Sequence, residues 1–168
     1  TAQGSCGKCA AGTFQKAAGQ TACVGCEAGA YCAEGASAAL PCPSGRYQNG
    51  SMPFMASAED CIACPAGASC STGAAQPTPC APGTVQPDVA QGTCEACVAG
   101  SVQTEAGQTA CEPCEAGSYC ANASAAALPC PSGRWTNRTD ARSADECEAC
   151  WPGHSCGTGA TQPTPCAA

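Results

Sequence analysis

The sequence contains few of the side chains that build a hydrophobic core. Only ten of its 168 residues are leucine, isoleucine, valine or phenylalanine. Burying one such side chain contributes about 1.5–3 kcal/mol, whereas ordering the backbone of one residue costs about 1–2 kcal/mol. A conventional core is therefore excluded, and the hydrophobic content of 44% consists mostly of alanine and cysteine.

Basic residues, histidines and long apolar runs are also scarce. Six Lys+Arg against 13 Asp+Glu give a net charge of −7, which argues against binding to nucleic acid or to anionic membranes. No apolar run approaches the ~20 residues of a membrane-spanning helix. His154 is the single histidine and leaves one candidate general base. We predict no membrane span in this segment, no enzymatic activity, no catalytic residue and no cofactor.

Cysteine is abundant instead, with 20 residues, and such a composition is typical of a disulfide scaffold. The cysteines form two sets of ten. The first set is Cys6, Cys9, Cys23, Cys26, Cys32, Cys42, Cys61, Cys64, Cys70 and Cys80, and the second is Cys94, Cys97, Cys111, Cys114, Cys120, Cys130, Cys147, Cys150, Cys156 and Cys166. Because disulfides persist in oxidising compartments, we predict a secreted protein located outside the cell or at its surface.

The repeat predicts two domains, residues 1–93 and 94–168. Leu40-Pro-Cys-Pro-Ser-Gly-Arg46 recurs 88 residues later as Leu128-Pro-Cys-Pro-Ser-Gly-Arg134. Residues 1–6 resemble Val89–Cys94 and are interpreted as the end of a preceding module, while the last module is interpreted as incomplete. We therefore expect either a longer tandem array or neighbouring copies that complete each other.

Glycine residues recur before short strand-like segments. Gly12-Thr-Phe-Gln, Gly45-Arg-Tyr-Gln and Gly83-Thr-Val-Gln each predict a short strand that leaves a glycine turn. We expect a return strand that ends at the closing cysteine, as at Cys23. The predicted fold is a small, disulfide-rich and mostly irregular one with short β-hairpins, arranged as an elongated rod of tandem modules without a conventional core.

The spacing of the cysteines suggests a pairing, although four cysteines allow three pairings. Our hypothesis is a simple hairpin bridge followed by modules that pair first with third and second with fourth. The pairs are Cys9–Cys23, Cys26–Cys42, Cys32–Cys61, Cys64–Cys80, Cys70–Cys94, Cys97–Cys111, Cys114–Cys130, Cys120–Cys147 and Cys150–Cys166, with Cys156 joined to Cys6 of the next copy.

Two other uses of the cysteines remain open. Cys6-x2-Cys9-x13-Cys23-x2-Cys26 has the spacing of a zinc ribbon, and C-x-x-C pairs occur in redox enzymes. A redox thiol needs a helix N-terminus or a nearby cation to lower its pKa, and no helix is evident. We expect structural bridges and no bound metal.

Three N-glycosylation sequons begin at Asn49, Asn122 and Asn137. Asn49 and Asn137 lie 88 residues apart, so they occupy the same place in the two repeats, whereas the counterpart of Asn122 is Glu34. We predict N-linked glycans at all three asparagines.

The string Cys-x-x-Cys-x-Ala-Gly-x-Tyr-Cys at 23–32 and 111–120, and Gly-Thr-Phe-Gln with Gly-Gln-Thr-Ala-Cys at 12–23, resemble the ephrin-receptor-like cysteine-rich repeat of algal and protist surface proteins. More distantly, the pattern is similar to the cysteine-rich modules of tumour necrosis factor receptors. The resemblance implies extended, disulfide-stapled rods outside the cell and transfers no catalytic residue.

These observations favour a mechanical function: a structural repeat of an extracellular glycoprotein fibre, flagellar hair or surface coat. Its expected partners are further copies of itself, arranged head to tail, since a contact that does not close into a ring generates a filament. The alternative is the ligand-binding ectodomain of a receptor or adhesin, for which Trp135, Trp151, Arg138 and Arg142 of the second repeat are candidates.

Overall fold

The computed structural model describes residues 7–51 and 55–167. Across these residues, two-residue strands pair with the next strand along the chain and form nine hairpins, numbered in chain order. The strand pairs are β1 (Thr13–Phe14) and β2 (Val24–Gly25), β3 (Ala30–Tyr31) and β4 (Leu40–Pro41), β5 (Arg46–Tyr47) and β6 (Ile62–Ala63), β7 (Ala68–Ser69) and β8 (Thr78–Pro79), β9 (Thr84–Val85) and β10 (Glu95–Ala96), β11 (Ser101–Val102) and β12 (Glu112–Pro113), β13 (Ser118–Tyr119) and β14 (Leu128–Pro129), β15 (Arg134–Trp135) and β16 (Glu148–Ala149), and β17 (His154–Ser155) and β18 (Thr164–Pro165). The predicted disulfide-rich hairpin fold is confirmed.

Each hairpin begins with a cysteine and a tight turn. In hairpin 1, Gly12 has a φ of +81°, a conformation that glycine adopts without steric cost, and the N–H of Thr13 bonds to the carbonyl of Ala10 at 3.0 Å. The prediction that strands leave glycine turns is confirmed. The predicted position of the return strand is wrong, because β2 begins after Cys23 rather than ending at it.

Nine disulfides between described cysteines close the hairpins. They are Cys9–Cys23, Cys26–Cys32, Cys42–Cys61, Cys64–Cys70, Cys80–Cys94, Cys97–Cys111, Cys114–Cys120, Cys130–Cys147 and Cys150–Cys156. The structure thus contains the predicted pairs Cys9–Cys23 and Cys97–Cys111.

The remaining predicted pairs differ from the structure and are corrected. These are Cys26–Cys42, Cys32–Cys61, Cys64–Cys80, Cys70–Cys94, Cys114–Cys130, Cys120–Cys147, Cys150–Cys166, and Cys156 with Cys6 of another copy. Cys166 is free and exposed, and Cys6 lies outside the described residues.

The physical reason lies in the opening turn. The N–H of Ala30 bonds to the carbonyl of Glu27 at 3.2 Å, and Gly29 has a φ of +84°. This reversal brings the Cα atoms of Cys26 and Cys32 to 6.2 Å, within the usual range for a disulfide. Each C-x5-C segment therefore closes on itself.

The two kinds of bridge share one geometry. In hairpin 1 the register pairs Phe14 with Val24, so the next pair of positions toward the hairpin loop is Gln15 and Cys23. The opening cysteine, Cys9, bonds to Cys23. In hairpin 2 the register pairs Tyr31 with Leu40, and the corresponding first-strand position is the bridged Cys32. In both hairpins the opening cysteine bonds to one member of the cross-strand pair next to the loop. It bonds to the return-strand member, Cys23, in hairpin 1 and to the first-strand member, Cys32, in hairpin 2.

The interior consists largely of sulfur. The largest side chains that are more than 98% buried in the described residues are all cysteines: Cys32, Cys42, Cys61, Cys64, Cys70, Cys80, Cys97, Cys114, Cys120, Cys130 and Cys147. Several large apolar side chains stay outside, since Val24, Leu40 and Val98 are exposed. Disulfides replace the apolar core that the composition excludes.

The chain divides into two compact units. One is Thr1–Thr78 with Asp88–Thr93, and the other is Pro79–Pro87 with Cys94–Ala168. The predicted domain boundary after residue 93 rests on the sequence repeat and stays a prediction. The described residues contain two short 3₁₀ turns, Ala58–Asp60 and Ala144–Glu146, and no helix there has the length and apolar character that crossing a membrane requires.

Candidate functional site

Backbone hydrogen bonds join neighbouring hairpins in a repeated pattern, which we call the inter-hairpin ladder. Its first component is the turn-glycine bond, in which the glycine N–H of one opening turn donates to the residue after the first strand of the next hairpin. This bond has lengths of 2.7–2.8 Å and joins Gly12 to Cys32, Gly29 to Gln48, Gly45 to Cys70, Gly83 to Gln103, Gly100 to Cys120, Gly117 to Thr136 and Gly133 to Cys156.

Two further bonds complete the ladder. In the opening-cysteine bond, a loop N–H donates to the opening cysteine of the preceding hairpin at 2.7–2.9 Å: Gly35 to Cys9, Gly73 to Cys42, Ala90 to Cys64, Gly107 to Cys80, Ala123 to Cys97 and Gly159 to Cys130. In the strand-end bond, the residue after the first strand donates to a loop carbonyl of the next hairpin at 2.9–3.1 Å: Gln15 to Ala36, Cys32 to Met55, Gln48 to Ala74, Cys70 to Gln91, Gln86 to Gln108, Gln103 to Ser124, Cys120 to Ala141 and Thr136 to Ala160.

The turn glycines also allow close approach of hairpins two positions apart. A Cβ atom at Gly45 would overlap the carbonyl oxygen of Ala90, and one at Gly100 would lie 2.6 Å from that of Asp140. At Gly133 and Gly153, no described atom lies within 4 Å of the corresponding position. At Gly45 and Gly100, glycine is therefore required for two reasons: its positive φ and the lack of space for a Cβ atom.

A buried polar side chain follows the first strand in several long-loop hairpins. Gln48, Gln86, Gln103 and Thr136 are buried. The amide of Gln103 donates to the carbonyl of Ala110 at 2.8 Å and accepts the N–H of Glu105 at 3.0 Å. The Gly-x-x-Gln string was evident in the sequence, but this role of the glutamine was not predicted, although its recurrence was an available signal.

The second unit contains an aromatic cluster of Trp135, Trp151 and His154. The ring centroids of Trp135 and Trp151 lie 5.7 Å apart at 84°, and those of Trp151 and His154 lie 5.7 Å apart at 80°. Trp135 is buried and its Nε1 has no hydrogen-bond partner among the described residues, whereas Trp151 is 53% exposed. The Nδ1–H of His154 donates to the carbonyl of Pro152 at 3.1 Å, so this histidine belongs to the cluster.

Arg138, another candidate for ligand binding, is paired within its own loop. Its guanidinium donates to both carboxylate oxygens of Asp140 at 3.0 and 3.1 Å, and this bond lowers the pKa of Asp140 and raises that of Arg138. Arg142 lines an open groove of about 500 Å³ beside Val98 and Pro113.

Two acidic pairs, Glu59-Asp60 before Cys61 and Asp145-Glu146 before Cys147, each provide one carboxylate that caps a turn. The carboxylate of Asp60 accepts the N–H groups of Ala56 and Ser57, each at 2.9 Å, and these bonds, that of Ala56 foremost, lower the pKa of Asp60. Glu146 accepts the N–H of Arg142 at 3.2 Å. Both carboxylates therefore stabilise the backbone of a 3₁₀ turn.

The predicted glycosylation asparagines Asn49, Asn122 and Asn137 are all exposed. Asn49 Oδ1 accepts the N–H of Ser51 at 3.1 Å and its hydroxyl at 2.5 Å. Accessible side chains are compatible with modification, which stays a prediction.

The cysteines whose spacing resembles a zinc ribbon or a redox C-x-x-C pair form structural disulfides with different partners. Cys9 and Cys23 bond to each other, whereas Cys26 bonds to Cys32. Bridged sulfurs are not available as the thiolates that zinc binds, and the described residues contain no cluster of metal-ligand side chains. No described C-x-x-C pair closes on itself.

Cys166 is expected to be the reactive thiol among the described cysteines. A maleimide should label Cys166 in the native, non-reduced protein, because this side chain is exposed and unbridged. Peptide mapping should find the label there and lose it in Cys166→Ser. Recovery of a disulfide-linked Cys150–Cys166 peptide would contradict this expectation and support the pairing predicted from the cysteine spacing.

Residues 100–147 match the family described as Tyrosine-protein kinase ephrin type A/B receptor-like. This segment contains the Cys114–Cys120 and Cys130–Cys147 bridges, so the predicted resemblance to ephrin-receptor-like cysteine-rich repeats is confirmed there. The resemblance to tumour necrosis factor receptor modules stays a prediction. No curated protein matches the chain.

Residues 100–147 are thus similar to a cysteine-rich module of an extracellular receptor type. The disulfides of the described residues agree with that similarity, because persistent disulfides are characteristic of oxidising environments. The observed architecture of the chain is a series of hairpins joined by the inter-hairpin ladder.

Proposed function

We propose that the chain is a structural repeat of an extracellular glycoprotein fibre, flagellar hair or surface coat, stiffened by disulfides and assembled head to tail. The observation that carries this proposal is the inter-hairpin ladder. Its bonds recur in both units with lengths that vary by about 0.2 Å or less for each kind of bond.

The ladder suits a mechanical role. Each hairpin has its own disulfide and bonds to its neighbours, so stability accumulates along the array as it does in other repeat proteins. A load that pulls on one hairpin is shared by covalent bridges and backbone bonds, and no apolar core must stay intact. The proposal includes no enzymatic activity and no cofactor.

Glycans would cover this array with a hydrophilic coat. We expect N-linked glycans at Asn49, Asn137 and Asn122 in protein secreted by a eukaryotic host, and each Asn→Gln variant should lose the mass of one glycan. Enzymatic deglycosylation in heavy-oxygen water followed by peptide mapping provides the measurement. As a matched control, Asn137→Gln is compared with Thr139→Val, which removes the same sequon without changing the asparagine. Unmodified Asn49 and Asn137 in secreted protein would contradict the glycoprotein proposal.

Electron microscopy of the native material tests the structural role. Fibres with a regular axial repeat, labelled by an antibody against this chain, are the expected result. Dispersed particles would contradict it, and material that loses its fibres after treatment with a reductant would support the role of the disulfides.

The second candidate is a ligand-binding ectodomain, and the aromatic cluster favours it. Trp151 is about half exposed next to a buried Trp135 whose Nε1 has no partner in the part of the chain that the structure describes. In the first repeat, the residues that correspond to Trp151 and His154 are Pro65 and Ala68, so the cluster is specific to one unit. Dispersed monomers whose ligand binding is lost in Trp151→Ala would favour this function.

A further inference from the structure

Two threonines have a proline on both sides, and they lie at the same place in the two repeats. Thr78 belongs to Gln76-Pro-Thr-Pro-Cys80, and Thr164 belongs to Gln162-Pro-Thr-Pro-Cys166. Each threonine begins a return strand, β8 in hairpin 4 and β18 in hairpin 9. Because threonine combined with proline is the composition of O-glycosylated stalks, these two positions are candidates for a sugar linked through oxygen.

The first position of a return strand is exposed in every described hairpin except hairpin 3, where it is half-buried. The residues at this position include Val24, Leu40 and Leu128, which are 57%, 50% and 48% exposed. Thr78 and Thr164 are exposed in the same way. Hairpin 4 has neighbouring hairpins before and after it in the chain, so the exposure of Thr78 follows from the register of its own hairpin.

The hydroxyl groups of these two threonines are not used by the fold. In the opening turns, Thr13 and Thr84 each donate their hydroxyl to the carbonyl three residues earlier, at 2.7 Å. The Oγ1 atoms of Thr78 and Thr164, by contrast, form no hydrogen bond with any residue that the structure describes. An exposed and unbonded hydroxyl is the acceptor that a sugar-transferring enzyme requires.

The flanking prolines keep the segment extended. A proline ring fixes its own φ near −65° and disfavours the helical conformation of the residue before it. Pro79 restricts Thr78 in this way, and the two residues form β8. An enzyme that binds an extended acceptor therefore orders little of the chain, and such preorganisation strengthens binding.

Other hydroxyl side chains lack at least one of these properties. Ser44 follows a proline, but the next residue is Gly45 with a φ of +84°, so this serine lies in a tight turn. Thr136 is buried. Thr109 is exposed, but no proline adjoins it. The combination of an exposed hydroxyl with two flanking prolines is therefore specific to Thr78 and Thr164.

We propose that Thr78 and Thr164 are O-glycosylation sites. The sugar is supplied as a nucleotide sugar and transferred by a glycosyltransferase. The threonine Oγ1 forms a bond to the anomeric carbon of the sugar, while the bond from that carbon to the nucleoside diphosphate breaks. The diphosphate leaves with the electron pair of the broken bond and accepts the hydroxyl proton, so one C–O bond replaces another and nothing is oxidised.

A sugar at these sites would protect the outer edge of the hairpin. The strand β8 pairs only with β7 in a two-stranded sheet, and an unpaired strand edge is a place where other chains can add. Pro79 already removes one backbone donor from this edge. A bulky hydrophilic group on Thr78 adds a steric barrier to such pairing.

Peptide mapping of the full chain tests the proposal, with protein that is secreted by a eukaryotic host and freed of N-linked glycans by an enzyme. Fragmentation that preserves side-chain bonds should locate a sugar on Thr78 and on Thr164. Thr78→Val keeps the shape of the side chain and removes the hydroxyl, so this variant should lose the sugar at position 78 and retain it on Thr164. Thr78→Ser keeps the hydroxyl and should retain both sugars.

Thr109→Val is the matched control. Thr109 is exposed but has no adjoining proline, so this variant should have the same O-glycan mass as the unaltered protein. Amide spectra should show that the variants are folded. Unmodified Thr78 and Thr164 in the secreted protein, or equal occupancy by sugar at Thr109, would overturn the proposal.

The outcome is separable from that of the proposed function. Native fibres whose Thr78 and Thr164 are unmodified would refute these sites and leave the structural role. Sugars on both threonines, without fibres in native material, would support the sites and refute the fibre.

Discussion

Reduction of the disulfides is expected to unfold the protein completely. The largest fully buried side chains of the described residues are cysteines, and a bridge that closes a ~15-residue loop contributes about 3 kcal/mol in the chain-entropy treatment. The nine loops span 6 to 19 residues, so their combined contribution exceeds the roughly 5–15 kcal/mol by which domains are usually stable. No apolar core remains to compensate.

Amide chemical-shift dispersion before and after reduction by a phosphine measures this effect. The native spectrum should collapse to the narrow range of an unfolded chain, and proteases should then cleave throughout the sequence. Protein treated with iodoacetamide alone controls for alkylation of free thiols. Dispersion that survives full reduction would show that another interaction holds the hairpins.

Gly45→Ala is expected to destabilise its surroundings far more than Gly133→Ala does. The two glycines lie at equivalent positions, with φ values of +84° and +83°, so both variants have the same backbone strain of about 1–2 kcal/mol. Only at Gly45 would the new methyl group overlap the carbonyl of Ala90. Displacing a packed backbone adds roughly 1–3 kcal/mol.

Hydrogen exchange of backbone amides in dilute, non-reduced protein measures the difference. The Ala90 and Cys70 amides, which donate to Cys64 and Gln91, should exchange roughly five- to 150-fold faster in Gly45→Ala, beyond the change that backbone strain alone produces. Gly133→Ala provides that reference through the Thr136 amide, which donates to Ala160. Equal acceleration in both variants would mean that the Ala90 carbonyl relaxes without cost.

The sequence predicted the architecture through properties that need no tertiary information. The scarcity of large apolar residues and the cysteine content indicated a disulfide scaffold, and Gly12 marked the start of the first strand correctly. The 88-residue repeat also placed Asn49 and Asn137 at equivalent positions, and both are exposed.

The connectivity was not predictable from spacing, because it depends on the register of each hairpin. Cys32 and Cys23 lie on opposite strands of their hairpins, both one residue beyond the paired strands toward the loop, and the opening cysteine reaches either position. Spacing does not reveal that the turn at Gly29 reverses the chain between Cys26 and Cys32. The inter-hairpin ladder is formed by backbone groups, which leave little signature in side-chain identity beyond the turn glycines.

The aromatic cluster was partly predictable. Trp135 and Trp151 were recognised as distinctive, but His154 was considered only as a candidate general base, and its place beside the tryptophans was not predicted. Its contact with Trp151 depends on the turn at Pro152, where the histidine ring bonds to a backbone carbonyl.

The difference in loop length between equivalent hairpins has a consequence for how such chains change over evolutionary time. In hairpin 3 the bridge spans 19 residues, and in the equivalent hairpin 8 it spans 17, yet the turn-glycine bonds on either side have lengths of 2.7–2.8 Å in both units. Insertions and deletions in the long loops are thus absorbed locally. Related chains can therefore vary the length and sequence of these loops, including their sequons, while the inter-hairpin ladder stays constant.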